Sequence, residues 1–322
     1  MVFLPWLPCG RGKSYDVCRS PVSASWETAS VPTSTQARRG RLAILVAALA
    51  WSTAGIGQRE LDVSPLTQVA GRALFAMVGL LALVALTERR GTVAAFRSIG
   101  RWGLLSAVLL AISSGAFFLA LNYTSVANVL FMQAAAPFFA ALLGWWLLGD
   151  RILPRTWLAI ALASAGVAVM AIGSVATGLT ALTLPLVVTA AFAGVIVITR
   201  HRRDISMMPA TCASQVLVVA CCLPFASFAA ADGSDWAILA ALGFGQMGVG
   251  LALLTIGARL IPPAEVAVIS LLEVVVGPLL VWLAYSERPS ATTLIGGVVV
   301  MAAVLLQATA GLQVGRVRAA TR

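Results

Sequence analysis

Histidine occurs once in this chain, at His201, and charged residues make up only 11% of it. A lone histidine in an arginine-rich stretch cannot build an H-E-x-x-H metal site. The five cysteines include no C-x-x-C pair. Cys9 and Cys18 lie near the N-terminus, and Cys212, Cys221 and Cys222 fall in one apolar run, which argues against metal or disulfide roles. A Walker A sequence is missing too, which argues against an ATP-driven pump within this chain. Gly243, Gly245 and Gly248 fit G-x-G-x-x-G, yet they sit inside an apolar run with no strand before them. They read as helix packing or a bend rather than dinucleotide binding, and no cofactor is expected.

What fills the space left by charge is apolar surface: 60% hydrophobic residues and a mean hydropathy of +0.95. The apolar runs recur at the length that crosses a hydrocarbon core of about 30 Å as helix. They cover 42–57, 66–87, 102–122, 127–148, 156–173, 179–199, 208–230, 236–258, 264–285 and 291–312. The sequence therefore predicts an all-α integral membrane protein with ten transmembrane helices. The first run is the weakest, being short and dependent on its polar flanks.

The net charge of +10 suggests nucleic acid until the arginines are placed. With the N-terminus in the cytoplasm, that side takes Arg11, Lys13, Arg19, Arg38, Arg39, Arg41, Arg89, Arg90, Arg97, Arg101, Arg151, Arg155, Arg200, Arg202, Arg203, Arg259, Arg316, Arg318 and Arg322. The other side holds only Arg59 and Arg288, and Arg72 lies within a span. The positive-inside rule thus predicts both termini in the cytoplasm of a multi-pass cell (inner or plasma) membrane protein. Its basic loops are expected to meet anionic lipid and no nucleic acid. Residues 1–40, rich in Ser, Thr, Pro and Arg, read as a disordered cytoplasmic tail. A start codon assigned upstream of the real one is the other reading. Met1 to Pro8 is too short for a signal-peptide core. Residues 313–322 read as a second cytoplasmic tail.

Shifting the chain by 137 residues aligns Asp150 with Glu287, each closing an apolar run after a tryptophan (Trp146, Trp282) and each followed by arginine (Arg151, Arg288). Two repeats of five spans follow, 41–174 and 178–312, and an odd span number gives them opposite orientations. With Ala50-Trp51-Ser52, Pro65 and Arg72, Pro137 to Gly149-Asp150, and Leu272-Glu273 with Gly277-Pro278 to Glu287-Arg288-Pro289, the chain resembles the EamA family of the drug/metabolite transporter superfamily over about residues 42–312. The resemblance implies ten helices in two inverted five-helix EamA repeats, a central cavity, and commonly export of amino acids, other metabolites or cationic drugs. The chain departs from the pattern at Val274, where Leu-Glu-Pro is frequent, and at Asp150, where Glu is common.

Glu273 lies about 14 Å into its span at 1.5 Å per residue, near the midplane, where a carboxylate must face a cavity, find a cation or be protonated. It reads as a titrating or cation-contacting group, or as a structural hydrogen bond to a neighbouring helix. Ser270 and Glu265 extend a polar face beside it. Arg72 lies about 9 Å deep, with Gln68 one turn before it. It could hold a substrate carboxylate or tie helices together, and depth alone makes Glu273 a candidate partner. Trp51, Tyr123, Asn128, Gln133 and Gln246 are further candidates for ligand contacts, each with a helix-to-helix hydrogen bond as the alternative.

The expected activity is secondary transport, and no enzyme activity is expected: export of a small metabolite such as an amino acid by rocking of 42–173 against 179–312. The alternative cargo is a drug or organic cation. An intramembrane enzyme would need clustered acid/base or metal groups, which the chain lacks, and a non-transporting scaffold is the remaining rival. Expected partners are a small-molecule substrate, the bilayer, protons through coupling, and a second copy in a homodimer.

Overall fold

The computed structural model describes residues 34–320 except 88–90, 151 and 203–206. The segment 1–33, Arg89, Arg90, Arg151 and Arg203 lie outside the described residues. The described chain is helical, with ten helices or helix pairs long and apolar enough to cross a membrane. The first span is α1 (Ser34–Ser52) with α2 (Ala54–Arg59), the second α3 (Pro65–Thr87). After the short α4 (Thr92–Ser98) come the third, α5 (Gly100–Ala120), and the fourth, α6 (Val126–Ala134) with α7 (Ala136–Leu148). The fifth is α8 (Pro154–Thr177), the sixth α9 (Leu179–His201) and the seventh α10 (Met207–Cys222). The eighth joins α11 (Gly233–Ala240) to α12 (Gly250–Ala258). The ninth joins α13 (Pro263–Ser270) to α14 (Leu272–Tyr285), and the tenth is α15 (Ala291–Ala320).

Boundaries differ from the sequence expectation where local chemistry decides them. The first helix already includes Ser34, within the expected tail, and is held there as Gly40 seats against Leu260 and Ile261 and Arg41 bonds Glu265. The seventh span stops at Phe225 instead of 230, since Pro224 has no N–H to continue the ladder. The eighth begins at Gly233 because Asp232 and Asp235 form a reciprocal cap. Hydrogen bonds from the Ser234 hydroxyl and the Asp235 amide hold the Asp232 carboxyl below its usual pKa.

The main helix contacts trace a closed ring. Its order is fourth, sixth, third, seventh, second, eighth, first, ninth, and back to the fourth. The fifth and tenth spans pack on each other behind the fourth and ninth. There Gly166 and Gly296 bring backbones together so closely that a Cβ on Gly166 would stand 2.6 Å from the Gly296 carbonyl. Exchanging each span with its partner five places on leaves the ring order unchanged, as a two-fold inverted repeat requires. The match reaches single residues. Gly149 and Ser286, 137 apart, both end their helices in the left-handed region, at φ 67° and 55°.

The two ends of the ring differ. Call the end bearing Arg41, Arg155, Arg200 and Arg259 basic, and the end bearing Arg59, Glu60, Asp235 and Glu287 distal. In the distal half one apolar cluster joins Ala54, Val69, Ala73, Phe118, Leu121, Val129, Leu130, Val218 and Val281, with Leu184 packed against it. Seven of the eight ring spans contribute to it. Toward the basic end the described core separates. Leu80, Val84 and Cys212 form one cluster, Ile44, Ile261 and Val266 another, and Phe138, Ile160, Ala163 and Ala303 belong to a third on the fourth, fifth and tenth spans; at the distal end Leu61, Val63, Leu239 and Leu242 form a small cluster of their own.

Candidate functional site

The fourth and ninth spans, which meet in the ring, are both interrupted near mid-membrane, at Ala135 and Leu271. In the fourth, Pro137 opens α7 and withholds the N–H that would reach the preceding turn. In the ninth, α13 ends at Ser270 and Glu273 is the second residue of α14. Broken helices at this depth are tolerated where they line a cavity or are buried in protein. Gln133 and Ser270 are repeat equivalents, half-buried in the last turn before each break. Among the described residues neither side chain makes a hydrogen bond.

Glu273 is ten residues from the start of α13, about 15 Å at 1.5 Å per residue, which is the middle of a core of about 30 Å. It is half-buried and makes no hydrogen bond or ion pair among the described residues. The expected pairing with Arg72 is not made in this structure. Arg72 is fully buried, donates from Nη2 to Ser114 Oγ at 2.8 Å and stacks on Phe118 at 3.6 Å.

The remaining expected residues divide. Trp51 and Gln246 bind each other: Trp51 Nε1 donates to the Gln246 carbonyl at 2.7 Å, and Gln246 Nε2 donates to the Trp51 carbonyl at 3.0 Å. Gln246 lies in a π-helical stretch, Ala241–Val249, whose widened turns aim its carbonyl at the first span. The same stretch holds the three glycines; Gly243 gives the close approach, since a Cβ there would stand 2.4 Å from Phe75 Cβ. Asn128 is buried and donates to Thr124, Ser174 and Ala181, tying the fourth span to the fifth and sixth. Its repeat equivalent, Glu265, instead binds Arg41 of the first span at 2.7 Å. Tyr123 lies in the connection between the third and fourth spans at the distal end and is 49% exposed, away from the interior.

The acids that mark the repeat also carry ion pairs that the sequence reading did not anticipate. Glu287 binds Arg59 at 2.8 Å, and Asp150 binds Arg200 at 3.1 Å. Each pair joins the two repeats, one at each end. They are not equally engaged. Arg59 also donates to the carbonyls of Leu121 at 2.6 Å and Thr124 at 3.3 Å, and Glu287 accepts from the Val126 amide at 2.9 Å. Together they hold the connection between the third and fourth spans over the distal end. The Arg59 and Glu287 side chains are 27% and 22% exposed, against 49% and 30% for Arg200 and Asp150. The signal that could have found these pairs was the recurrence of the acids 137 residues apart, with an arginine near the end of the first span and another at the end of the sixth.

A sequence model of the EamA-like transporter family matches residues 38–172 and again 179–309. The chain belongs to the EamA-like transporter family. Each match spans one half of the ring, so this EamA-like protein is a membrane transporter-family member built from two copies of one unit. One solved crystal structure, described only as that of a protein, is similar in fold. It has a TM-score of 0.56 and 21% sequence identity, over 85% of this chain and 98% of its own. The curated proteins compared with the EamA-like chain gave no match.

Proposed function

We propose that the protein is a secondary transporter of the cell (inner or plasma) membrane that exports a small metabolite, such as an amino acid, by alternating access. Both termini and the basic end then face the cytoplasm, because arginine loops are retained there. The observation that carries this reading is the unequal closure of a two-fold ring. The distal half is sealed by a cluster shared by seven of the eight ring spans, with a smaller cluster beside it, and by Arg59 and Glu287 on the third–fourth connection. The basic half has three separate clusters, and among the described residues Arg200 binds Asp150 alone. An inverted repeat that closes one end of a ring can close the other by exchanging the conformations of its halves. In that second state Arg200 takes the role of Arg59, reaching the connection between the eighth and ninth spans.

Glu273, with Gln133 and Ser270, forms the floor of the site at the two helix breaks. Its carboxylate suits proton coupling. It also suits a cationic cargo, which favours an organic-cation or multidrug exporter as the second reading. The test is efflux of a mixed pool of small cytoplasmic metabolites from proteoliposomes holding the full chain, with protein-free vesicles as control. At least one metabolite should leave faster with protein present. Equal loss of every metabolite from both vesicle types would contradict the reading and favour a scaffold. Chemical conversion of a metabolite would favour an intramembrane enzyme.

A further inference from the structure

Arg72 is the largest fully buried side chain among the described residues, about 10 Å inside the distal face by its place seven residues into α3 at 1.5 Å per residue. The seventh span lies between the second and third in the ring, so Arg72 reaches Ser114 through the interior of the bundle. A guanidinium has five N–H donors. Among the described residues only Nη2 is engaged; Nε and Nη1 are sealed from solvent and donate to none of them. No described carboxylate lies within ion-pair distance of it. Stacking on Phe118 and one hydroxyl contact position the group but leave its charge without a counter-charge, and an unpaired buried cation is strongly unfavourable in a medium of low dielectric. A residue serving only to fill the distal cluster would be better apolar.

We propose that Arg72 is an anion subsite on the transport path, taking the carboxylate of a small organic acid or amphoteric metabolite. The subsite rests on the transporter reading above. Nη2 carries two N–H groups and Ser114 accepts from one; the other, with the N–H of Nε or Nη1 beside it, forms a two-donor fork that matches a planar carboxylate, and one negative charge neutralises one guanidinium. A phosphate dianion would leave net charge in the apolar cluster, and chloride has no shape to fill a fork. Pairing requires the contact with Phe118 to loosen, so an anion arriving at Arg72 favours separation of the distal half.

The test uses the purified full chain in detergent micelles, with benzoate as probe and benzamide and sodium chloride at equal concentration as controls. Benzoate should raise the thermal midpoint of the wild type, and neither control should. In Arg72→Gln the rise should vanish while the midpoint without ligand stays at or above that of the wild type, because a buried unpaired charge has been removed. Arg72→Lys should retain part of the rise. No benzoate effect on the wild type, an equal effect of benzamide, or an equal rise in Arg72→Gln would overturn the proposal. So would an Arg72→Gln protein melting well below wild type, which would make Arg72 a tie between α3 and α5. A benzoate rise that depends on Arg72, with no metabolite flux in proteoliposomes, would contradict the transporter reading alone.

Discussion

A carboxylate at the centre of a membrane helix costs about 3 kcal/mol or more, and Glu273 has no hydrogen bond or ion pair among the described residues to offset it. Asn128 and Gln68 are at least partly engaged: the Asn128 amide nitrogen donates to three acceptors, although its Oδ1 has no partner among the described residues, and Gln68 donates to the Leu61 and Val63 carbonyls. Glu273→Gln keeps size and most hydrogen-bonding capacity but cannot titrate. The variant should reach the membrane at normal abundance. Its flux per molecule should fall roughly tenfold or more, the size of one charge-assisted contact of about 1.5 kcal/mol, and the residue of activity should not vary with pH. Quantitative immunoblotting alongside efflux at several pH values checks this. Lower abundance with unchanged flux per molecule would make Glu273 a structural residue.

At the scale of elements, the ten spans were legible because apolar run length alone fixes them, and the repeat because Asp150 and Glu287 end matching runs. The break in the fourth span has a visible cause in Pro137. The equivalent break at Leu271 has none, since no proline lies within a turn after it; Pro278 is seven residues on. It follows from packing against the fourth and first spans, which one sequence does not display. The ion pairs of Arg59 and Arg200 were hidden for the same reason: each joins residues far apart in the chain. Asn128 and Tyr123 show the limit of reading polarity without position, one becoming an interhelical tie and the other an exposed loop residue. Ser286 offers a prediction here. It is the described non-glycine residue with positive φ, standing where the first repeat has Gly149. Ser286→Gly should stabilise the protein by about 1 kcal/mol by relieving a left-handed side chain. A thermal midpoint below wild type would show that the serine side chain is needed.

At the scale of the whole molecule, the ring order and its two-fold symmetry turn one closed end into a statement about the other. The distal end is held by contacts that converge on the third–fourth connection, and the alternating access proposed above requires that connection to lift. An ideal Cβ on Gly55 of the first span would stand 2.9 Å from a γ-carbon of Val126, at the foot of the connection. The same Cβ would stand 2.7 Å from a γ-carbon of Val281, so Gly55→Cys with Val126→Cys is made together with Val281→Ala to place a disulfide, which joins Cβ atoms about 3.5–4.5 Å apart. The most direct measurement is flux through this variant, on a background lacking the native cysteines, in proteoliposomes loaded with the metabolite found to move. The account predicts that oxidation stops flux and that reduction restores it. Undiminished flux with the disulfide fully formed would contradict alternating access through the distal end.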